Sequence, residues 1–119
     1  MFETTSQYKH ANVEIDFLSI IRFAPFDLGC VIKYLGRIGH KDDPKVELEK
    51  IGNYLEICFE SISVQPELYK NWFDNYGLLL RRFEKFRHLD VSKPVFQILA
   101  DIEEIYLETK DYYSKLRMK

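Results

Sequence analysis

Apolar residues along this chain return every three or four positions, the spacing that lines one face of an α-helix. Residues 1–11 are polar apart from a few side chains and read as an arm, with Phe2 and Tyr8 as docking rings. Asn12 can cap a first helix through its side-chain oxygen. Val13, Phe17, Ile20 and Ile21 then form that helix's buried stripe. Pro25 ends it or opens the next, because its ring fixes φ and disfavours the helical conformation for Ala24. A second helix is predicted from about Pro25 to Ile38, with Leu28, Val31, Ile32, Leu35 and Ile38 inward and Gly39 as its C-terminal cap. In the charged loop that follows, Asp43 and Pro44 fit the cap and first position of a third helix, and Glu47 supports its first turn. That helix runs to about Ser63, with Leu48, Ile51, Leu55, Cys58, Phe59 and Ile62 inward, until Gln65-Pro66 breaks it.

A fourth helix is predicted from about Pro66 to His88 on Leu68, Trp72, Tyr76, Leu79, Leu80 and Phe83, widened by Phe73 and Phe86. Ser92 can cap the last helix, with Pro94 in its first turn. It covers about Lys93 to Leu116, with Val95, Ile98, Leu99, Ile102, Ile105, Tyr106, Thr109, Tyr113 and Leu116 on one side. The pattern is all-α: a compact bundle of four to five helices in a single domain over residues 1–119. Residues 65–119 form its C-terminal helical pair.

Composition agrees with that size and class. The chain has 119 residues, 46% of them hydrophobic and 30% charged, as in ordinary globular proteins. Five glycines and four prolines are too few for a turn-rich β-sandwich. Nine Phe, eight Tyr and one Trp make it rich in rings, which supply large buried area to a small helical core. Several of those rings would also serve self-association, so a homo-oligomer is expected. The net charge of −2 gives no footprint of a general nucleic-acid binder. Cys30 and Cys58 belong to no metal-ligand spacing and read as two reduced, buried thiols. No apolar run is long enough to cross a membrane, and the start, MFETTSQYKH, lacks the order of a signal peptide. A cytoplasmic location is expected.

The densest chemistry lies in residues 26–43. Lys33 and Arg37 are four apart and share a helix face, with His40 and Lys41 at the helix end. Such a set can clamp phosphate oxygens. It can equally be a solvated face whose cations complement the helix C-terminal dipole. Gly29 and Gly36 suggest close approach of a helix or a ligand.

The segment resembles a small phage-encoded domain family often described as nucleotide-kinase-like. The residues that carry the likeness are Val13-Glu14, Phe26, Gly29, Lys33-Tyr34, Arg37, Gly39 and Lys41, followed by Leu48, Lys50 and Tyr54-Leu55. The match covers residues 8–57 and makes 8–64 the family-like N-terminal part. The family's His-Tyr stands here only as Tyr8-Lys9-His10, and its Asn after the glycine is Cys30. The resemblance implies binding of a nucleotide or another phosphorylated small molecule by a phage or prophage accessory protein in a bacterial host cell. It further implies nucleoside monophosphate kinase activity, with ATP and Mg²⁺. The chain has no GxxxxGK[ST] phosphate loop, so a kinase would need another phosphate cradle. Lys33, Arg37 and Lys41 are the expected phosphate ligands, Tyr34 or Tyr8 would stack on a base, and His10 and Glu14 would hydrogen-bond. Carboxylates on the metal side would be Glu14, Asp16, Asp42 and Asp43, the last two being equally loop and cap residues. Two other readings stand beside this one: a non-catalytic sponge that sequesters a cyclic nucleotide signal of antiviral defence, and a protein-interaction module built on residues 66–119.

Three more clusters read mainly as structure. Arg81, Arg82, Lys85, Arg87 and His88 form a second basic run on the fourth helix, interleaved with core phenylalanines. Glu103, Glu104, Glu108 and Asp111 form an acidic patch that can complement it, within the chain or across a subunit interface. Tyr69, Trp72, Phe73 and Tyr76 fit a core better than a ligand box.

Overall fold

A computed structural model describes residues 17–40 and 43–117. The expected Asn12 cap lies outside them. Among the described residues there are five helices: α1 (Phe17–Ile21), α2 (Phe26–Arg37), α3 (Pro44–Val64), α4 (Pro66–Leu80) and α5 (Val95–Arg117). A 3-10 turn over Glu84–Phe86 lies between α4 and α5. The fold is all-α, and the described residues contain no strand. None of their helices is long and apolar enough to cross a membrane.

α3 is the central element, packed on α2, α4 and α5, while α1 closes against α2 and α4. Its inward residues Ile51, Leu55, Cys58 and Ile62 meet Leu28, Val31, Ile32 and Leu35 of α2. Trp72, Phe73 and Leu80 of α4 and Ile98, Leu99 and Ile102 of α5 complete one continuous core. Phe59 is only half-buried and packs its ring edge-on against Phe96, 5.6 Å between centroids. α1 is held by a polar pin as well: the Trp72 indole N–H donates to the Ile20 carbonyl at 3.0 Å.

The loop between α2 and α3 forms as its residues dictate. Gly39 takes φ 86°, a conformation costly to any residue with a Cβ. Asp43 caps α3, its carboxylate accepting from the Lys45 N–H at 3.0 Å, and Pro44 takes the first helical position. A Cβ on Gly39 would collide with the Tyr113 hydroxyl, so the loop and the far end of α5 are fitted together there. Gly52 plays the same part on α3, where a Cβ would come within 2.8 Å of the Tyr106 hydroxyl.

The C-terminal half departs from expectation in four ways. α4 stops at Leu80 rather than near His88. Beyond it, Arg82, Phe83, Phe86 and Leu89 each donate their N–H three residues back, to Leu79, Leu80, Phe83 and Phe86. Phe83 itself is extended (φ −94°, ψ 138°). This tight path turns Leu80, Phe83, Phe86 and Leu89 inward at a strict spacing of three, which a longer α-helix would not do. Second, α4 buries Tyr69 in place of Leu68, which is exposed. Third, Ser92 does not cap α5: its N–H and hydroxyl donate to Asp90. Pro94 directly precedes α5, its carbonyl accepting from the Gln97 and Ile98 N–H groups. Leu116, at the end of α5, is exposed instead of buried.

Gly39→Ala should lower stability by at least about 1–2 kcal/mol, from the left-handed backbone alone. The Tyr113 collision adds to that loss. Urea unfolding would show it as a lower midpoint with an unchanged slope.

Candidate functional site

Three residues on one side of α2, Lys33, Tyr34 and Arg37, meet two on α3, Lys50 and Tyr54. The spacings are helical: 33 or 34 to 37 on α2, and 50 to 54 on α3. The Tyr34 ring is the centre. The Arg37 guanidinium carbon lies 4.8 Å from its centroid, the Lys50 ammonium 5.6 Å and the Lys33 ammonium 5.8 Å. Tyr34 stacks on Tyr54 at 6.2 Å and 23°, and Tyr54 meets Phe26 edge-on at 6.0 Å. A row of three rings therefore leads away from three cations.

The cations are not equivalent. Arg37 was expected on a solvated or ligand-facing surface beside Lys33, but it is 7% exposed. Its Nε donates to Oε2 of Glu47 at 3.3 Å, and Glu47 is completely buried. Glu47 is thus the counter-charge of Arg37 in the α2–α3 contact, not merely a support for the first turn of α3. Burial of either charge without the other would be costly. Lys33 is half-buried and Lys50 exposed, and neither makes an ion pair among the described residues. The site therefore presents two ammoniums over an aromatic ring, with the guanidinium beneath them already neutralised.

Lys50, Tyr54 and Phe26 were not singled out as site residues from the sequence. The signal was the Lys50–Tyr54 spacing on α3, which has functional content only once α3 is known to pack on that side of α2. Tyr8, His10, Glu14, Asp16, Lys41 and Asp42 lie outside the described residues. Asp43 is a helix cap. Among the described residues no cluster of His, Cys, Asp or Glu is arranged to hold a metal ion.

Cys30, one turn before Tyr34, is half-buried rather than buried. Burial pushes its thiol above the ordinary pKa, opposed by a hydrogen bond with Tyr54 and the Lys33 charge. Cys58 is fully buried and pushed far higher, chiefly by desolvation. Both therefore stay protonated thiols at neutral pH.

A second buried polar group lies at the other end of α2. The Tyr69 hydroxyl donates to both carboxylate oxygens of Asp27, at 2.8 and 2.7 Å, and the Leu28 N–H donates to Oδ1 at 2.9 Å. Burial, together with this carboxylate, pushes the Tyr69 pKa well up.

A cleft of about 860 Å³ lies between the end of α2, the 83–90 turn and α5. Lys85 and His88 line one side, Glu104 and Glu108 the other. The basic run and the acidic patch thus face each other within one chain. Desolvation holds the Lys85 ammonium below its ordinary pKa. Arg87 is paired with Glu84 at 3.5 Å, and Lys93 with Asp101 at 3.3 Å. The run is not on one helix face, because α4 has already ended.

Residues 3–56 match a protein family of unknown function, DUF3310. The matched segment covers α1, α2 and the first part of α3, and so includes Lys33, Tyr34, Arg37, Glu47, Lys50 and Tyr54. No curated protein and no solved structure matches the chain.

Two substitutions test the polar pins. Glu47→Ala takes the buried carboxylate away from the Arg37 guanidinium and should cost about 3–5 kcal/mol in denaturant unfolding. Tyr69→Phe removes the hydroxyl that satisfies Asp27 and should cost about 1–3 kcal/mol.

Proposed function

We propose that this protein binds a phosphorylated, nucleotide-like small molecule on the α2–α3 face. The observation that carries the reading is the placement of the Lys33 and Lys50 ammoniums 5.8 and 5.6 Å from the centroid of one ring, Tyr34. Two like charges held on one ring repel each other, and a phosphate monoester, which carries nearly two negative charges at neutral pH, relieves that repulsion. Arg37 lies 4.8 Å from the same ring's centroid but is paired with Glu47, so its part is to hold Tyr34 and the two helices in place. The row Tyr34, Tyr54 and Phe26 offers stacking surface to a base, and Phe26 is 77% exposed. The likeness to nucleotide-kinase-like phage domains in this same segment points the same way.

Binding is the activity proposed; turnover is a separate question. Native mass spectrometry with mono-, tri- and cyclic nucleotides reports the ligand directly. A ligand released unchanged on denaturation means sequestration, and label transfer from ATP to a nucleoside monophosphate with Mg²⁺ means kinase chemistry. Lys33→Ala with Lys50→Ala should weaken nucleotide binding by at least about tenfold, since each charge-assisted hydrogen bond is worth about 1.5–3 kcal/mol. Neither side chain is in the core, so the fold should persist. Normal binding by that double variant would refute the site.

A further inference from the structure

The start of α2, the second half of α3 and the start of α4 enclose a groove of about 580 Å³ that borders the proposed ligand face at Phe26. Phe26, Ile57, Val64 and Leu68 line it, and all four are large apolar side chains left exposed, Val64 by 77%. Apolar side chains gathered from three helices around one groove mark a docking surface rather than scattered surface residues. Glu60 lines the groove, and Glu67 precedes Leu68. Both are exposed and neither makes an ion pair among the described residues. The groove therefore fits a partner that is apolar at its centre and basic around it.

The chain itself carries such a surface. Leu78 is 71% exposed near the end of α4. Arg81 and Arg82 follow three and four residues later, both exposed, and open the basic run that continues through Lys85 and Arg87. The acidic-rimmed groove and this basic knob lie toward opposite ends of the 15-residue α4, Leu68 and Leu78 about 15 Å apart along its axis. One molecule cannot join its own two ends. Two molecules packing groove to groove would set Glu60 and Glu67 against their own copies. We infer that copies of this chain associate head to tail, Leu78 and the arginines of one molecule seating in the Phe26–Ile57–Val64–Leu68 groove of the next. Such a contact is heterologous, so it propagates into a ring or a filament rather than closing as a symmetric dimer.

Two charge-reversed full-length variants test the pairing. The first is Glu60→Lys with Glu67→Lys; the second is Arg81→Glu with Arg82→Glu, which keeps Leu78 as the apolar anchor. These positions are exposed, and far-UV circular dichroism should match the parent for both. Light scattering and native mass spectrometry should show the parent above the 14.3 kDa monomer mass, with assemblies that shrink as ionic strength rises. Each variant alone should be monomeric, because its groove and knob then carry like charge. An equimolar mixture should reassemble with one-to-one stoichiometry, because each groove again meets a knob of opposite sign. A parent chain that stays monomeric overturns the inference and leaves the groove to a different protein. So does either variant assembling like the parent, or a mixture that fails to associate.

Discussion

The α2–α3 contact is organised by one buried ion pair, Arg37 with Glu47. A stripe of Leu, Val and Ile on each helix would allow sliding by a turn with modest loss of packing. A guanidinium and a carboxylate shielded from water resist it, because a slip would pull two opposite buried charges apart. The pair therefore specifies register more than it adds stability. Register in turn places Lys50 and Tyr54 of α3 against Lys33 and Tyr34 of α2. The surface cations of the site are thus positioned by a charge that is not itself on the surface.

The same device recurs at lower strength around α3 and α4. Asp27 and Tyr69 tie the start of α2 to the start of α4. Gly52 and Gly39 admit the Tyr106 and Tyr113 rings of α5 against α3 and the α2–α3 loop. Each contact joins residues far apart in sequence. Generic apolar packing supplies the bulk of the burial, and these few contacts select the arrangement.

Local physics was legible in the sequence and relational physics was not. The Leu28–Leu35 stripe, the Asp43-Pro44 helix start and the positive φ at Gly39 follow from periodicity and backbone preference, and all three are present. The end of α4 was misjudged because Phe83 and Phe86 also satisfy a helical spacing. The discriminating signal was the strict interval of three from Leu80 to Leu89, which belongs to a tighter turn. Spacing puts Leu68 on the inward stripe and composition makes Tyr69 a core ring; only Tyr69 goes inside, where Asp27 accepts from its hydroxyl. Arg37 and Lys33 looked alike at four residues apart, and only the position of Glu47 across the helix contact separates them. In the candidate site the α2 half could be read from one segment, while Lys50 and Tyr54 required knowing which helix lies alongside.

The single tryptophan has a practical consequence. Its indole donates to the last turn of α1, rests edge-on against Phe73 and stacks near Tyr76. The fluorophore thus sits at the joint between α1 and α4, away from the Lys33–Tyr34–Lys50 face. Its emission is an optical gauge of that joint. A change in its wavelength would report that α1 has loosened from the bundle.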